Sequence, residues 1–275
     1  MSTRTASVLY DVPGPRARAR NLTLGLLGLA GIAGLLWYVI SSFADAGQFD
    51  PLLWSPFEYT AVQQRFVDGA LDTLKAFGLA AIGSLVLGSL LAVGRLSDHF
   101  PVRIVSTVVV QFFRAMPLVI MIFALYRAAF GAQPMWALVI GLALYNGAVQ
   151  AEIIRSGINA VPHGQAEAAY ALGLRKTQVM AIVLIPQAVR SMLPAIIGQL
   201  VVTLKDTSLG YIITYPELLN QMRLVASNSD GYPYIPVVLV GAPIYIGMCL
   251  ALDGLARWIE SRSRRGASRR STTAA

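Results

Sequence analysis

The feature that most limits what this chain can become is how far it runs without a charged residue. A bilayer core about 30 Å thick is crossed by about 20 apolar residues at a rise of about 1.5 Å each. Six stretches reach that length: 21–44, 76–94, 104–126, 128–151, 187–214 and 231–252, the last extending to Trp258. The third qualifies with Arg114 inside it, the fourth starts near Pro134, and the fifth is interrupted by Lys205 and Asp206. Charged residues are 13% of the 275 and hydrophobic ones 56%, whereas an ordinary soluble chain is about a quarter charged. The sequence therefore predicts an all-α polytopic membrane protein with six transmembrane helices.

Basic residues set the orientation, because Lys and Arg are retained on the cytoplasmic side. With the N-terminus inside, 16 of the 22 fall in inner loops and tails, from Arg4, Arg16, Arg18 and Arg20 to the cluster between Arg257 and Arg270. Arg65, Lys75, Arg127 and Arg223 fall outside, and Arg114 and Lys205 lie within spans. Both termini are thus expected in the cytoplasm of a cell-membrane protein, the basic C-terminal end attracted to anionic membrane lipid. The first span follows basic residues as a signal peptide does, but its apolar run is too long for one and is expected to be retained. The predicted organisation is a cytoplasmic tail at 1–21, an additional first helix at 22–44, an external connector at 45–68, a membrane domain at 69–260 and a basic, disordered cytoplasmic tail at 261–275. Trp54, Phe57, Tyr59 and Phe66 mark the connector as a piece lying in the outer interface.

Several chemistries are excluded. A single cysteine, Cys249, rules out a disulfide framework within the chain and a Cys-based zinc site, and the two histidines, His99 and His163, lie far apart without a carboxylate cluster. No metal site or cofactor in this chain is expected. No stretch interleaves basic and aromatic residues as nucleic-acid binders do. A phosphate-cradling loop needs Gly before Lys, and the three lysines follow Leu74, Arg175 and Leu204.

The inner loop at 155–186 is about thirty residues long, against about nine at 95–103. Pro162 suits a first helical turn, 165–172 favours helix, and Gly173 suits a left-handed cap. A second short helix is expected from Lys176 to Ile185, stopped by Pro186. Two short helices joined at a glycine make a rigid knob, exposing Ala166, Ala168 and Ala169 to a close-approaching surface with Glu167 to orient it. Composition alone leaves this equal to a hairpin lying against the protein's own bundle.

The residues of that loop carry a resemblance. Glu167-Ala168-Ala169, then Gly173, Val183 and Ile185-Pro186 resemble the EAA coupling loop of ABC importer permeases, here within 155–186. The run from Gln150 to Ile158, Pro162-His163-Gly164-Gln165 and Leu204-Lys205-Asp206-Thr207-Ser208-Leu209 are similar to the polar amino-acid branch of that family. Phe113-Arg114-Ala115-Met116-Pro117-Leu118 resembles that branch's Phe-Arg-Gly-Thr-Pro-Leu with two replacements. The opening Val8 to Pro15 looks like actinobacterial glutamate-uptake permeases. The resemblance implies a type I importer permease that forms the translocation pathway by alternating access. Glu167, Ala168, Ala169, Gly173 and Pro186 would engage a separate ATP-binding subunit dimer, which would hold the ATP and magnesium. It also implies a second homologous permease, identical or not, an external solute-binding protein, and glutamate or another polar amino acid as cargo. The chain itself would not be an enzyme.

Ionisable groups within spans are costly and mark pathways or partners. Arg114 is placed about 15 Å from the inner end of the third span and Asp206 on the fifth. A guanidinium suits an amino acid's carboxylate and an Asp its ammonium. Arg114 and Asp206 are therefore the expected substrate-pathway residues, with Ser208, Met116 and Leu118 nearby. The bland alternative is that Arg114 pairs with Asp206 to hold helices together. Glu152 and Arg155, three apart, are expected to form a structural ion pair, and Tyr145, Asn146 and Gln150 add polar surface. A rival reading of the in-span charges is an ion-coupled secondary transporter.

Overall fold

The computed structural model describes residues 14–271, so the Val8–Pro13 part of the opening motif, Arg4 and residues 272–275 lie outside the described residues. The chain divides into two compact units at Trp54 and Ser55. The first holds α1 (Pro15–Asp45), opened by its proline, whose fixed φ suits a first turn. Its thirty-one residues span about 46 Å, more than a bilayer core requires.

The second unit is built on α2 (Thr60–Arg95) and α5 (Pro134–Asn159). Along α2, Ala76, Ala80, Ser84, Gly88 and Ala92 recur every fourth residue, and all five are buried. That spacing puts a seam of small side chains on one helix face. On α5, Ala143, Gly147 and Ala151 repeat the pattern. Within a bilayer, helices gain nothing from excluding water between them and associate through close packing at small residues. The approach is tight: a Cβ added to Gly88 would sit 2.9 Å from the Gly147 carbonyl oxygen and 2.6 Å from Gln150 Cβ.

The stretch 104–126 is not one helix. α3 (Phe100–Ala115) and α4 (Leu118–Ala128) meet at 99°. Pro117 removes a backbone donor and disfavours the α conformation of the residue before it; Met116 accordingly sits at φ −76°, ψ 130°. Among the described residues, five helices are long and apolar enough to cross a membrane, and the bent pair makes six if it is one broken span.

After α5, α6 (His163–Ala171) and the single turn α7 (Lys176–Gln178) form the hairpin. Pro162 caps α6 from outside rather than opening its first turn, and His163 is its first residue. Pro186 does not stop a helix: residues Val179–Leu184 widen into a π-helix and continue into α8 (Ile185–Asp206). A π-bulge re-routes the carbonyls that a proline's missing N–H and ring disturb, so the axis continues. α8 then tightens to a 3-10 helix over Thr207–Ile213, where Thr207 Oγ1 donates to the Leu204 carbonyl (2.6 Å). The expected span 187–214 is thus one axis of two helical types.

α9 (Leu218–Asn228) and α10 (Tyr234–Ser271) complete the unit. Phe66 is buried with Leu218, Met222 and Val237 instead of lying in the outer interface, because α2 begins at Thr60 and absorbs the end of the expected connector. The tail expected to be disordered after Ser261 continues as helix to Ser271.

Candidate functional site

The hairpin is held in shape by its backbone. Gly173 has φ +81°, and its N–H donates to the Tyr170 carbonyl (2.9 Å) while the Leu174 N–H donates to that of Ala169 (3.2 Å). This pair of bonds is a Schellman cap, and the left-handed residue at its centre favours glycine. The hairpin presents Glu167, Ala168 and Gly173 to solvent, with Tyr170 half-exposed and Leu172 82% exposed at the tip. Ala169 is 4% exposed, and Ala166 only partly so. Ala169 therefore packs the hairpin from within instead of forming its outer surface. Pro186 lies on the exposed side of the following helix. Where α7 starts, Lys176 forms an ion pair with Asp98, between α2 and α3. Lys176 holds the Asp98 carboxyl below its ordinary range.

Glu152 gathers three arginines from three helices. It pairs with Arg95, the last residue of α2, with Arg155 one turn further along α5, and with Arg114 at 3.6 Å from the end of α3. The expected Glu152–Arg155 pair is present, but the carboxylate also receives two partners that spacing along the chain did not reveal. Arg114 is thus paired with Glu152, not Asp206. Its guanidinium shares the Glu152 carboxylate with Arg95, the last residue of α2, and so reaches the level of that helix end. One carboxylate among three guanidiniums leaves a positive surplus, and the Nε atoms of Arg95 and Arg155 are buried without a hydrogen-bond partner.

Asp206 belongs to a second polar group, between α5 and α8. Its side chain lies beside that of Asn146, which is fully buried. Asn146 Oδ1 accepts from Gln199 Nε2 (2.7 Å), and Asn146 Nδ2 donates to the Leu142 carbonyl (3.1 Å). One turn along α5, Gln150 donates weakly to the Ile196 carbonyl (3.5 Å), and its Oε1 is buried without a partner. Ser208 Oγ donates to the Lys205 carbonyl (2.9 Å), and the Tyr245 hydroxyl is shared between the carbonyls of Leu204 (2.9 Å) and Lys205 (3.0 Å). These bonds collect the carbonyls left over where α8 changes type. Met116 and Leu118 flank the α3–α4 bend.

Asn146 and Glu152 are six residues apart on α5, about 9 Å along the axis and about 120° around it. Asp206 and Arg114 thus reach different faces of one helix at different heights. Glu217, unmarked by the sequence reading, is fully buried and caps α9, accepting from the Leu219 and Asn220 amides (2.8 Å each). Burial pushes its carboxyl up to about 7. Among the described residues no group of His, Cys, Asp and Glu is arranged to hold a metal.

Residues 84–265 match the family described as binding-protein-dependent transport system inner membrane component. The chain belongs to that family. It is 39% identical over 236 residues to the glutamate transport system permease protein of Corynebacterium glutamicum, covering 83% of this chain and 86% of the relative. It is 33% identical to a probable glutamine ABC transporter permease of Bacillus subtilis, covering 71% and 92%. It is 30% identical to the arginine transport system permease of the same organism, covering 75% and 96%. Among solved structures, an amino acid ABC transporter crystallised with histidines aligns with a TM-score of 0.69 at 31% identity over 76% of this chain and 98% of that one. An inward-facing methionine ABC transporter shares the fold at 16% identity, with a TM-score of 0.63 over 74% and 99%. The chain is a multi-pass membrane permease of the ABC importer class, and the matches do not favour an ion-coupled secondary transporter.

Proposed function

We propose that this permease forms the membrane pathway of an ATP-driven importer for glutamate or another polar amino acid, with both termini in the cytoplasm. The observation that carries the reading is the Gly173-capped hairpin. It is a rigid projection with an exposed leucine at its tip and an acidic residue on its flank, continuous through the π-helix with the span that bears Asp206. A cytoplasmic ATP-binding subunit dimer, which would hold the ATP and magnesium, grips this hairpin through Glu167, Ala168 and Gly173. Ala169 shapes the hairpin from inside, and Pro186 transmits its movement into α8. A second homologous permease, identical or different, completes the pathway, and an external solute-binding protein delivers cargo. Glutamate is favoured by the 39% identity to a glutamate permease.

Within the pathway, Asp206 takes the substrate's ammonium with Ser208 beside it, and Arg114 takes the carboxylate after exchanging Glu152 for it. Met116 and Leu118 line the passage at the bend. Because the two charges reach different faces of α5, they act in succession as the substrate moves inward. The test is uptake of labelled glutamate by the purified complex in proteoliposomes. Uptake should require ATP and the binding protein, and Asp206→Asn should raise the substrate concentration needed for half-maximal uptake. Nucleotide-independent uptake by this chain alone would refute the reading.

A further inference from the structure

A groove of about 630 Å³ lies between α2, α5 and the α7–α8 helix; it borrows only Lys176 and Thr177 from the base of the hairpin and none of the polar group around Asp206. Its walls are apolar, formed by Leu85 and Val93 of α2, Ile158 of α5, and Ala181, Val189 and Ile196 on the α8 side. Apart from Ser89, the polar lining gathers at one end, where Ser97, Asp98, His99, Lys176 and Thr177 surround the mouth. Along α2 it runs from Leu85 to Leu96, about 16 Å, which matches the hydrocarbon depth of one leaflet, about half of 30 Å. At the mouth Asp98 is ion-paired with Lys176. Arg103, just behind the lining, acts on the same carboxylate, so two permanent cations face one anion, with the His99 imidazole beside them.

We propose that this groove binds an anionic phospholipid of the cytoplasmic leaflet, its acyl chain along the apolar walls and its phosphate at Lys176, His99 and Arg103. A free phosphate would leave the apolar length unexplained, and a neutral amphiphile would leave the cationic mouth unexplained. A lipid seated there touches α2 on one side and the start of the coupling axis on the other. The leaflet assignment rests on the orientation in the proposed function; the groove and its charged mouth do not.

The test uses the purified complex in nanodiscs with phosphatidylglycerol carrying a diazirine at its chain end, and peptide mapping of the labelled sites. Labelling should concentrate on residues 85–96 and 180–196. It should exceed that from a phosphatidylcholine probe by about five-fold, the effect of roughly one cationic contact. Ala181→Trp, or Val189→Trp should the first fail to fold, should abolish it, and Lys176→Glu should reduce it to the phosphatidylcholine level. Equal labelling by both probes, or labelling unchanged by either tryptophan, would overturn the proposal. A disulfide between two copies at Ala181→Cys would also overturn it, assigning the groove to a second chain. His99→Cys tested with an impermeant thiol reagent on intact cells separates the two layers. Protection supports the cytoplasmic leaflet, whereas labelling from outside contradicts the orientation and leaflet and leaves the groove result standing.

Discussion

The α2–α5 seam and the α8 axis are both helical and both apolar enough to cross a bilayer, yet they are built on opposite principles. The seam is continuous α-helix closed on small residues, with backbone nearly touching backbone at Gly88 and Gly147. The α8 axis changes from π to α to 3-10 helix along its length, carries Pro194 inside, and meets α5 partly through amide and carboxylate side chains. A seam without slack suits a frame. An axis with a bulge at one end, a tightened turn at the other and exchangeable hydrogen bonds suits a part that shifts against that frame.

Two glycines test the contrast directly. Gly88→Leu drives a side chain into the Gly147 carbonyl and should cost about 3 kcal/mol or more, at the upper end for overpacking. Fluorescence-detected size exclusion should show almost no monodisperse protein. Gly198, on α8, has open space where a Cβ would stand. Gly198→Ala should instead stabilise the protein by about 0.5–1 kcal/mol, as for an exposed helical glycine. Equal damage from both would erase the distinction.

Glu152→Ala should come next in size. It leaves Arg95, Arg114 and Arg155 facing one another, and removing the shared partner of a partly buried ionic cluster costs on the order of 1–3 kcal/mol, less than for a fully buried pair. Since Arg95, Arg114 and Arg155 come from three different helices, thermal unfolding in detergent should begin earlier and recover partly when Arg114→Met removes one of the stranded charges.

Much of this frame was legible and much was not. The spans were readable because a charge-free run of twenty residues has few other solvents. The α3–α4 break was not, because apolar composition cannot distinguish one crossing from two helices meeting at Pro117, although the proline stood there to be weighed. The small residues at 76, 80, 84, 88 and 92 were a readable seam hidden by their own blandness, since alanine and glycine add little to an apolar count. Of the site, Gly173 and the exposed Glu167 were visible because a local cap has a local signature. The Glu152 cluster was half visible: Arg155 is a helical neighbour, while Arg95 and Arg114 arrive through tertiary packing. Pro186 misled because proline usually ends a helix, and a π-bulge is not written in any single residue. Glu217 gave no warning, because a capping carboxylate looks the same in sequence whether solvent reaches it or not.

The smallest effect concerns that residue, at the edge of the frame beyond the α8 axis. Its buried carboxyl is raised from 4.5 to about 7. The folded state therefore keeps a proton that the unfolded chain releases, so stability falls as pH rises between about 4.5 and about 7. Glu217→Gln should flatten the change in melting temperature across that window and melt higher than the parent at pH 8. An unchanged slope would mean that the charge on Glu217 is compensated when α9 is folded.

The central claim is that movement enters through the hairpin and travels along α8. Its most direct test is the ratio of substrate transported to ATP hydrolysed by the complex in proteoliposomes, comparing the parent with Gly173→Val and Glu167→Ala. The account predicts complexes that insert in the membrane normally but lose most ATP-driven uptake, Gly173→Val more than Glu167→Ala. Undiminished coupled uptake in both variants would contradict it.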